Sequence, residues 1–272
     1  MRQPRTYLFV PGNRPDRFGK ALASGSDAVV LDLEDAVATD AKDAARAAVR
    51  AWAAEAAPGD RARTVLRIND AAGPHFADDL ALLAATGLPA VMLPKAESAA
   101  QVARVRAEAG PVDVLALIET AAGVEHAAAI AAADGVTRLV FGTLDLAVDL
   151  DLDIEHGSDG LAYAAGRLVI ASRLAGLAAP VAGVTAQLGD QDRLQADLTW
   201  SRRHGFGAKL CIHPNQVEPV HAGLAPDPGA VDWARRVLAA DRAAAGAAQL
   251  DGRMIDRPVV LAARRTLARA GQ

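Results

Sequence analysis

Short aliphatic runs recur along the chain, separated by stretches whose apolar residues return every three or four positions. The runs are TYLFV (6–10), AVVLDL (28–33), TVLRI (64–68), AVMLP (90–94), DVLALI (113–118), RLVFG (138–142), PVAGV (180–184) and AKLCI (208–212). They are continuous rather than alternating, the pattern of parallel strands covered on both faces. After Thr39 and Asp40, AKDAARAAVRAW places Ala45, Val49 and Trp52 on one helical face, with Lys42, Asp43, Arg46 and Arg50 mostly elsewhere. SAAQ (98–101) reads as a capping box opening the helix after the fourth run, and Gly110 with Pro111 closes that helix. Strict βα alternation predicts an α/β fold, a (β/α)8 TIM barrel. A doubly wound open sheet is the alternative. It usually has fewer strands, and no glycine-rich dinucleotide fingerprint follows the first run.

Beyond the eighth unit, 228–248 reads as an extra helix, QLDGRMIDRP as a turn-rich connection and 259–270 as a last helix. The expected organisation is a barrel catalytic domain over 1–225. A C-terminal helical extension over 226–272 is too short to be a domain of its own and is expected to belong to the same unit.

Composition narrows the class. A length of 272 residues suits an α/β barrel, and with 51% apolar but only 4% aromatic residues the core must be aliphatic. The net charge of −4 argues against general nucleic-acid or anionic-membrane binding. A single cysteine, Cys211, allows no intramolecular disulfide, and its apolar surroundings suggest a buried, inert thiol. No stretch approaches the ~18 apolar residues of a membrane helix, and Pro11 cuts the first run short of a signal-peptide core. A soluble cytoplasmic protein is expected.

In a barrel, chemistry gathers at the C-terminal ends of the strands. The second run ends in Asp32, Glu34 and Asp35, the third carries Arg67 and Asn69, and the fourth is followed by Lys95 and Glu97. The fifth ends in Glu119, the sixth is followed by Asp145 and the eighth by His213. Glu119 and Asp145 follow neighbouring strands ~4.8 Å apart. They could share one cation, and two carboxylates completed by water and substrate oxygens suit Mg2+. Alternatively, Glu119 only faces a helix dipole. Arg67, set between apolar residues, needs an anionic partner, either a substrate or a structural ion pair with Asp32 or Glu34. Lys95 could form a Schiff base; an ion pair with a phosphate or carboxylate is the preferred reading. His213 is expected to hydrogen-bond rather than act as a base. Arg14, Arg17 and Lys20 follow the first run, where cations near a helix N-terminus could hold phosphates; a solvated helix face is the alternative.

The blocks LFVPGNRPDRFGKA, VVLDLEDAV, VLRIN, VMLPKAES, LIETAAG, FGTLDLAVDL and CIHPNQ stand in an order that resembles the citrate lyase beta-subunit-like proteins of the HpcH/HpaI aldolase superfamily. The resemblance runs from about Arg5 to GRMIDRPVV. It implies a barrel assembled as a homo-oligomer, a trimer or a multiple of it. It further implies Mg2+ as cofactor and carbon–carbon bond cleavage or formation between an acyl-CoA and a 2-oxo acid, as in malyl-CoA and citramalyl-CoA lyases. By motif match, Glu119 and Asp145 would hold the metal and Arg67 would bind the reacting acyl carbonyl. Asp256 in MIDRP would be the acid that the C-terminal segment lends to a neighbouring site. Glu119, Arg14, Lys20 and Lys95 complete the candidate substrate contacts. Two departures stand out: Thr6 replaces the usual serine, and VAGVT (181–185) lacks the acid often found after the seventh strand. The alternatives are a citrate lyase subunit acting on a protein-bound thioester, an aldolase acting without CoA, and a barrel without activity.

Overall fold

The computed structural model describes residues 3–243 and 248–271. The chain forms two compact units, Met1–Gly223 and Leu224–Gln272.

The first unit is a closed barrel of eight parallel strands in sequence order. The strands are β1 (Thr6–Pro11), β2 (Ala28–Asp32), β3 (Thr64–Arg67), β4 (Ala90–Leu93), β5 (Asp113–Ile118), β6 (Val136–Phe141), β7 (Val181–Ala182) and β8 (Ala208–Cys211). The helices between them are α1 (Pro15–Leu22), α2 (Lys42–Glu55), α3 (Pro58–Ala62), α4 (Phe76–Thr86), α5 (Ala99–Ala109), α6 (Ala121–Ala131), α7 (Thr143–Asp149), α8 (Ala162–Leu174) and α9 (Gln191–Arg203), with α10 (Val217–Leu224) after the last strand. The continuous aliphatic runs therefore form the expected parallel strands. Val30, Val65, Met92, Leu117, Val140 and Leu210 fill the barrel interior. Their neighbours in sequence point outward to the helices, as the period of two requires.

Ser98 and Gln101 form the expected capping box at α5, and Gly110 ends that helix at φ +83°. The seventh run shortens to two paired residues. It is flanked by Pro180, which has no N–H to donate, and by Gly183, whose hydrogen in place of a side chain lies where a Cβ would sit 2.9 Å from the Phe141 carbonyl. Helix α2 departs from its expected faces. Lys42 and Arg46 are buried alongside Ala45 and Val49, while Trp52 is only half-buried. The cause is buried acceptors. Lys42 Nζ donates to the carbonyls of Leu33 and Glu34 at 2.7 Å each, and Arg46 donates to the fully buried Asp79 at 2.9 Å. Polar residues on the inward face of a helix are tolerated when they are paired.

The second unit contains α11 (Pro228–Ala243), an antiparallel hairpin of β9 (Ala248–Leu250) and β10 (Arg253–Ile255), and α12 (Arg257–Arg269). Ala234, Val237, Ile255, Val260 and Ala263 form its core. The expected extra helix stops at Ala243, and 244–247 lie outside the described residues. The connection read as turn-rich is the hairpin. Asp251 and Gly252 form its two-residue turn with φ of +50° and +75°, the positive values that an Asp-Gly pair suits. Among the described residues no helix is long and apolar enough to cross a membrane.

Candidate active site

Several strand-end polar residues converge on one cluster. Glu119 directly follows β5 and is 3% exposed. Thr120 caps α6 by accepting from the Gly123 N–H at 3.1 Å, and Gly123 is required because a Cβ there would lie 2.7 Å from the Ala96 carbonyl. The local sequence IETAAG thus ends a strand, exposes one carboxylate to the mouth and turns at once into a capped helix. Lys95 N–H donates to Glu119 Oε1 at 2.8 Å, from a backbone held at φ +45°. That is an unusual conformation for a residue with a side chain, and here it aims a peptide N–H at the carboxylate. The other side of Glu119 is accommodated by Gly142, where an added Cβ would sit 2.5 Å from Glu119 Cβ and closer still to Oε2.

Asp145 lies in the first turn of α7, just past Gly142, and is exposed, with no hydrogen bond or ion pair among the described residues. Asp149 Oδ2 accepts from the Ala121 N–H at 2.6 Å, tying the start of α6 to the end of α7 and so fixing the two acid-bearing segments together. Sequence reasoning missed Asp149, although it sits four residues after Asp145 on the same helix face.

Arg67 points into the mouth and is held rather than free. Its Nε and Nη2 donate to the two oxygens of Asp32 at 2.7 and 2.6 Å, and its Nη1 lies 2.8 Å from Glu34 Oε2. Asp32 also accepts from the N–H groups of Glu34 and Ala36. The guanidinium lies 4.8 Å from the centre of the Phe9 ring. Burial opposes its charge, but Asp32 outweighs burial and keeps it above the usual arginine range. Of its five N–H groups, one on Nη2 has no acceptor among the described residues and is available to a ligand. The structural ion pair with Asp32 and Glu34 is thus present, and it presents the same arginine to the mouth. Lys95 Nζ donates to Glu34 Oε1 at 3.1 Å. Burial works against its ammonium, but Glu34 prevails and raises it above the usual lysine range. A lysine held charged is a poor Schiff-base nucleophile, so the ion-pair reading is the one the geometry favours.

Other expected site residues make local contacts of their own. Arg14 is at the N-terminal end of α1 and pairs with Asp16 at 2.8 Å. Lys20 is exposed in the last turn of α1, so the placement near a helix N-terminus applies to Arg14 and not to Lys20. His213 accepts from the Asn215 N–H at 3.2 Å and caps a short helical turn. Cys211 is buried, and burial pushes its thiol up to about 12, leaving it inert near neutral pH. Asp256, in the second unit, caps α12 by accepting from the Val259 N–H at 3.1 Å.

The electrostatics of the mouth indicate what the cluster can hold. Burial, then the charge of Glu34, push Glu119 up to about 8, and Asp145 adds to the repulsion. Burial likewise raises Glu34, whose Oε2 forms no hydrogen bond despite its contact with Arg67. Arg67 and Lys95 pair with Asp32 and Glu34, while neither Glu119 nor Asp145 has an ion-pair partner among the described residues. Among the described residues no group of three or more His, Cys, Asp or Glu side chains is placed to hold a metal, so any ion here would draw most of its ligands from water or substrate. A pair of carboxylates with open positions fits a hard divalent cation that keeps water or ligand oxygens.

A closed parallel barrel with carboxylates and a buried arginine at the C-terminal ends of its strands is the architecture of a barrel enzyme. Residues 5–214 match the family model HpcH/HpaI aldolase/citrate lyase, and the chain belongs to that family. A citrate lyase subunit beta-like protein of Mycobacterium tuberculosis is 42% identical over 98% of this chain and 95% of its own length. A (3S)-malyl-CoA thioesterase of Cereibacter sphaeroides is 34% identical over 98% of this chain and 94% of its own. The crystal structure of the M. tuberculosis protein CitE in complex with magnesium, acetoacetate and coenzyme A superimposes with a TM-score of 0.88 at 40% identity, covering 99% of this chain and 98% of that one. A citrate lyase beta subunit of the same organism complexed with oxaloacetate and magnesium has a TM-score of 0.73 at 38% identity, covering 82% and 97%.

Proposed function

We propose that the protein is a Mg2+-dependent carbon–carbon lyase that cleaves or forms a 3-hydroxyacyl-CoA of the malyl-CoA or citramalyl-CoA type. The partners of the reaction would be an acyl-CoA and a 2-oxo acid. The observation that carries this reading is that Glu119, Asp145 and Arg67 lie near enough to one another at the strand ends for the charges of Asp145 and Arg67 to act on Glu119. The ligands named in the M. tuberculosis structures, magnesium with coenzyme A and acetoacetate or with oxaloacetate, support it.

Glu119 and Asp145 would hold the ion, with Gly142 leaving room for the Glu119 carboxylate. When bound, Mg2+ would polarise the oxygens of the 2-oxo acid and orient it. Cleavage moves an electron pair from the breaking carbon–carbon bond onto the thioester carbonyl as an enolate. The free Nη2 proton of Arg67 would donate to that oxygen, and Asp32 would keep the guanidinium from turning away as charge develops. Glu34 and Lys95 brace this arrangement from the opposite side. A base must take the hydroxyl proton in cleavage, or the acyl α-proton in condensation. Asp256 is assigned this role, acting on a neighbouring chain's site in a homo-oligomer, a trimer or a multiple of it. Arg14, after it releases Asp16, is the cation at the β1 end for a phosphate of CoA; Lys20 could serve only a part of CoA that reaches further along α1.

The test is mass spectrometry of the purified protein with acetyl-CoA or propionyl-CoA and glyoxylate, pyruvate or oxaloacetate, with and without Mg2+. A Mg2+-dependent 3-hydroxyacyl-CoA product is expected. Release of free CoA without carbon–carbon chemistry would instead support a thioesterase, the activity named for the C. sphaeroides relative. No turnover of any CoA thioester would overturn both.

A further inference from the structure

Outside the barrel wall lies a cavity of about 240 Å3 that the reaction above does not use. Val140, Val181, Ala208 and Leu210 point into the barrel interior. Their strand neighbours Phe141, Ala182 and Lys209 therefore face the helix layer, where they line this cavity together with Leu161, Asp197 and Trp200. Thr143 and Leu144, and residues 183–187 past the end of β7, also line it, so the upper edge of the cavity adjoins the segment that carries Asp145.

Lys209 is 2% exposed, and its Nζ has one acceptor, the Gly183 carbonyl at 2.7 Å. No carboxylate lies within ion-pair distance of it among the described residues. Asp197, which also lines the cavity, is already matched. Its Oδ2 accepts from the Thr185 hydroxyl at 2.6 Å and its Oδ1 from Arg193 Nε at 2.9 Å. Arg193 in turn donates from Nη1 to the Glu155 carbonyl and from Nη2 to the Ile154 carbonyl. The balance is an unmatched amine beside space. Burial pushes that amine down to about 8, so it is still mostly charged near neutral pH. An ammonium buried with only the charge of Asp197 acting on it, and that shared with Arg193, is costly, and an anion from solution is the direct remedy. The cavity has room for several water molecules, at ~30 Å3 each, or for one small organic ligand. One lysine cannot satisfy a phosphate dianion, which calls for several donors, and the apolar part of a mixed wall, Phe141, Leu161 and Trp200, favours a ligand with a hydrocarbon part.

We propose that this cavity is a binding site for a short-chain monocarboxylate, its carboxylate on Lys209 Nζ and its hydrocarbon part against Phe141, Leu161 and Trp200. Nothing in the contacts of Lys209 requires the lyase reading or a metal.

Butyrate is the probe, titrated into EDTA-treated protein so that no cation at the barrel mouth can chelate it. Calorimetry gives the affinity, and Trp200 fluorescence reports occupancy of this cavity in particular. Saturable binding is expected, with a fluorescence change that Trp200→Phe abolishes while the calorimetric signal persists. Lys209→Met should weaken binding by at least about tenfold, the loss of one charge-assisted hydrogen bond. Ala182→Leu, which fills space beside Lys209 and leaves its charge in place, should also weaken it and serves if Lys209→Met does not fold. Absence of butyrate binding to the wild type, or unchanged affinity in either of these two variants, would overturn the proposal.

Discussion

Gly142→Ala offers a severe test of the metal-site geometry, because it adds one methyl group at a defined place. Gly142 has φ −84° and ψ 83°, so alanine meets no left-handed backbone restriction there. The obstacle is Glu119. The new Cβ would start 2.5 Å from Glu119 Cβ and nearer still to Oε2. Ordinary contact begins near 3.4 Å, so the carboxylate or the β6–α7 turn must move by about 1 Å. Lys95 N–H holds the other carboxylate oxygen at 2.8 Å, so such a shift must strain or break that bond. A displacement of this size at a reacting constellation costs on the order of a hundredfold, or about 2.7 kcal/mol. The assay is calorimetric Mg2+ titration alongside thermal unfolding in EDTA. Mg2+ affinity should fall steeply, approaching that of Asp145→Ala, while the metal-free protein stays folded with its melting temperature lowered by about 2–4 °C per kcal/mol of the strain. Gly19→Ala, whose Cβ would meet nothing within 4 Å, is the control. Wild-type Mg2+ affinity in Gly142→Ala would refute the placement of Glu119 as a ligand.

Arg67→Lys keeps the charge but loses the fork on Asp32, and should cost ~2–4 kcal/mol of barrier, comparable to removing one oxyanion donor; unchanged kcat in a folded variant would return Arg67 to a purely structural pair. Lys209 gives a pH signature of stability: its folded-state amine titrates at about 8, below its ordinary 10.5, so the burial cost is fully present below pH 8, shrinks as pH rises and is gone above 10.5. Relative to Lys209→Met, the wild type should therefore gain on the order of 3 kcal/mol across that window, measured by urea unfolding in carboxylate-free buffer; a flat difference would refute the burial argument. For Asp256, mixing inactive Asp256→Ala chains with inactive Glu119→Ala chains under demonstrated subunit exchange should restore activity if the acid acts on a neighbouring site, and no recovery would reject that role.

The barrel was legible because its signal is repeated. Eight continuous aliphatic runs with helical spacing between them leave few folds, and SAAQ with Gly110 marks a helix by its own chemistry. The strand-end residues were legible for the same reason, since a barrel places chemistry at one end of every strand. What escaped were features set by contacts between distant segments. Lys42 and Arg46 look like surface residues on a helical wheel, yet Leu33, Glu34 and Asp79 supply acceptors that bury them. The β9–β10 hairpin was missed despite its Asp-Gly pair, because each strand is only three residues long and no alternation shows over that length.

Arg67 shows why two readings that sound exclusive need not be. A buried arginine without partners would be costly, and its long side chain would sample several orientations before meeting a substrate. Asp32 removes both problems by holding one edge of the guanidinium, and Phe9 lies against its face. What remains is a donor with a fixed direction. The same logic applies to Glu119, oriented by the Lys95 N–H on one oxygen and given room for the other by Gly142. In both cases the sequence reveals the charged residue, while its usefulness depends on a neighbour that reads as ordinary: an acid at the end of β2, a lysine whose backbone matters as much as its amine, and a glycine after a strand. Substitutions at those neighbours therefore probe the site as sharply as substitutions at the charged residues, with less disturbance of the charge balance in the mouth.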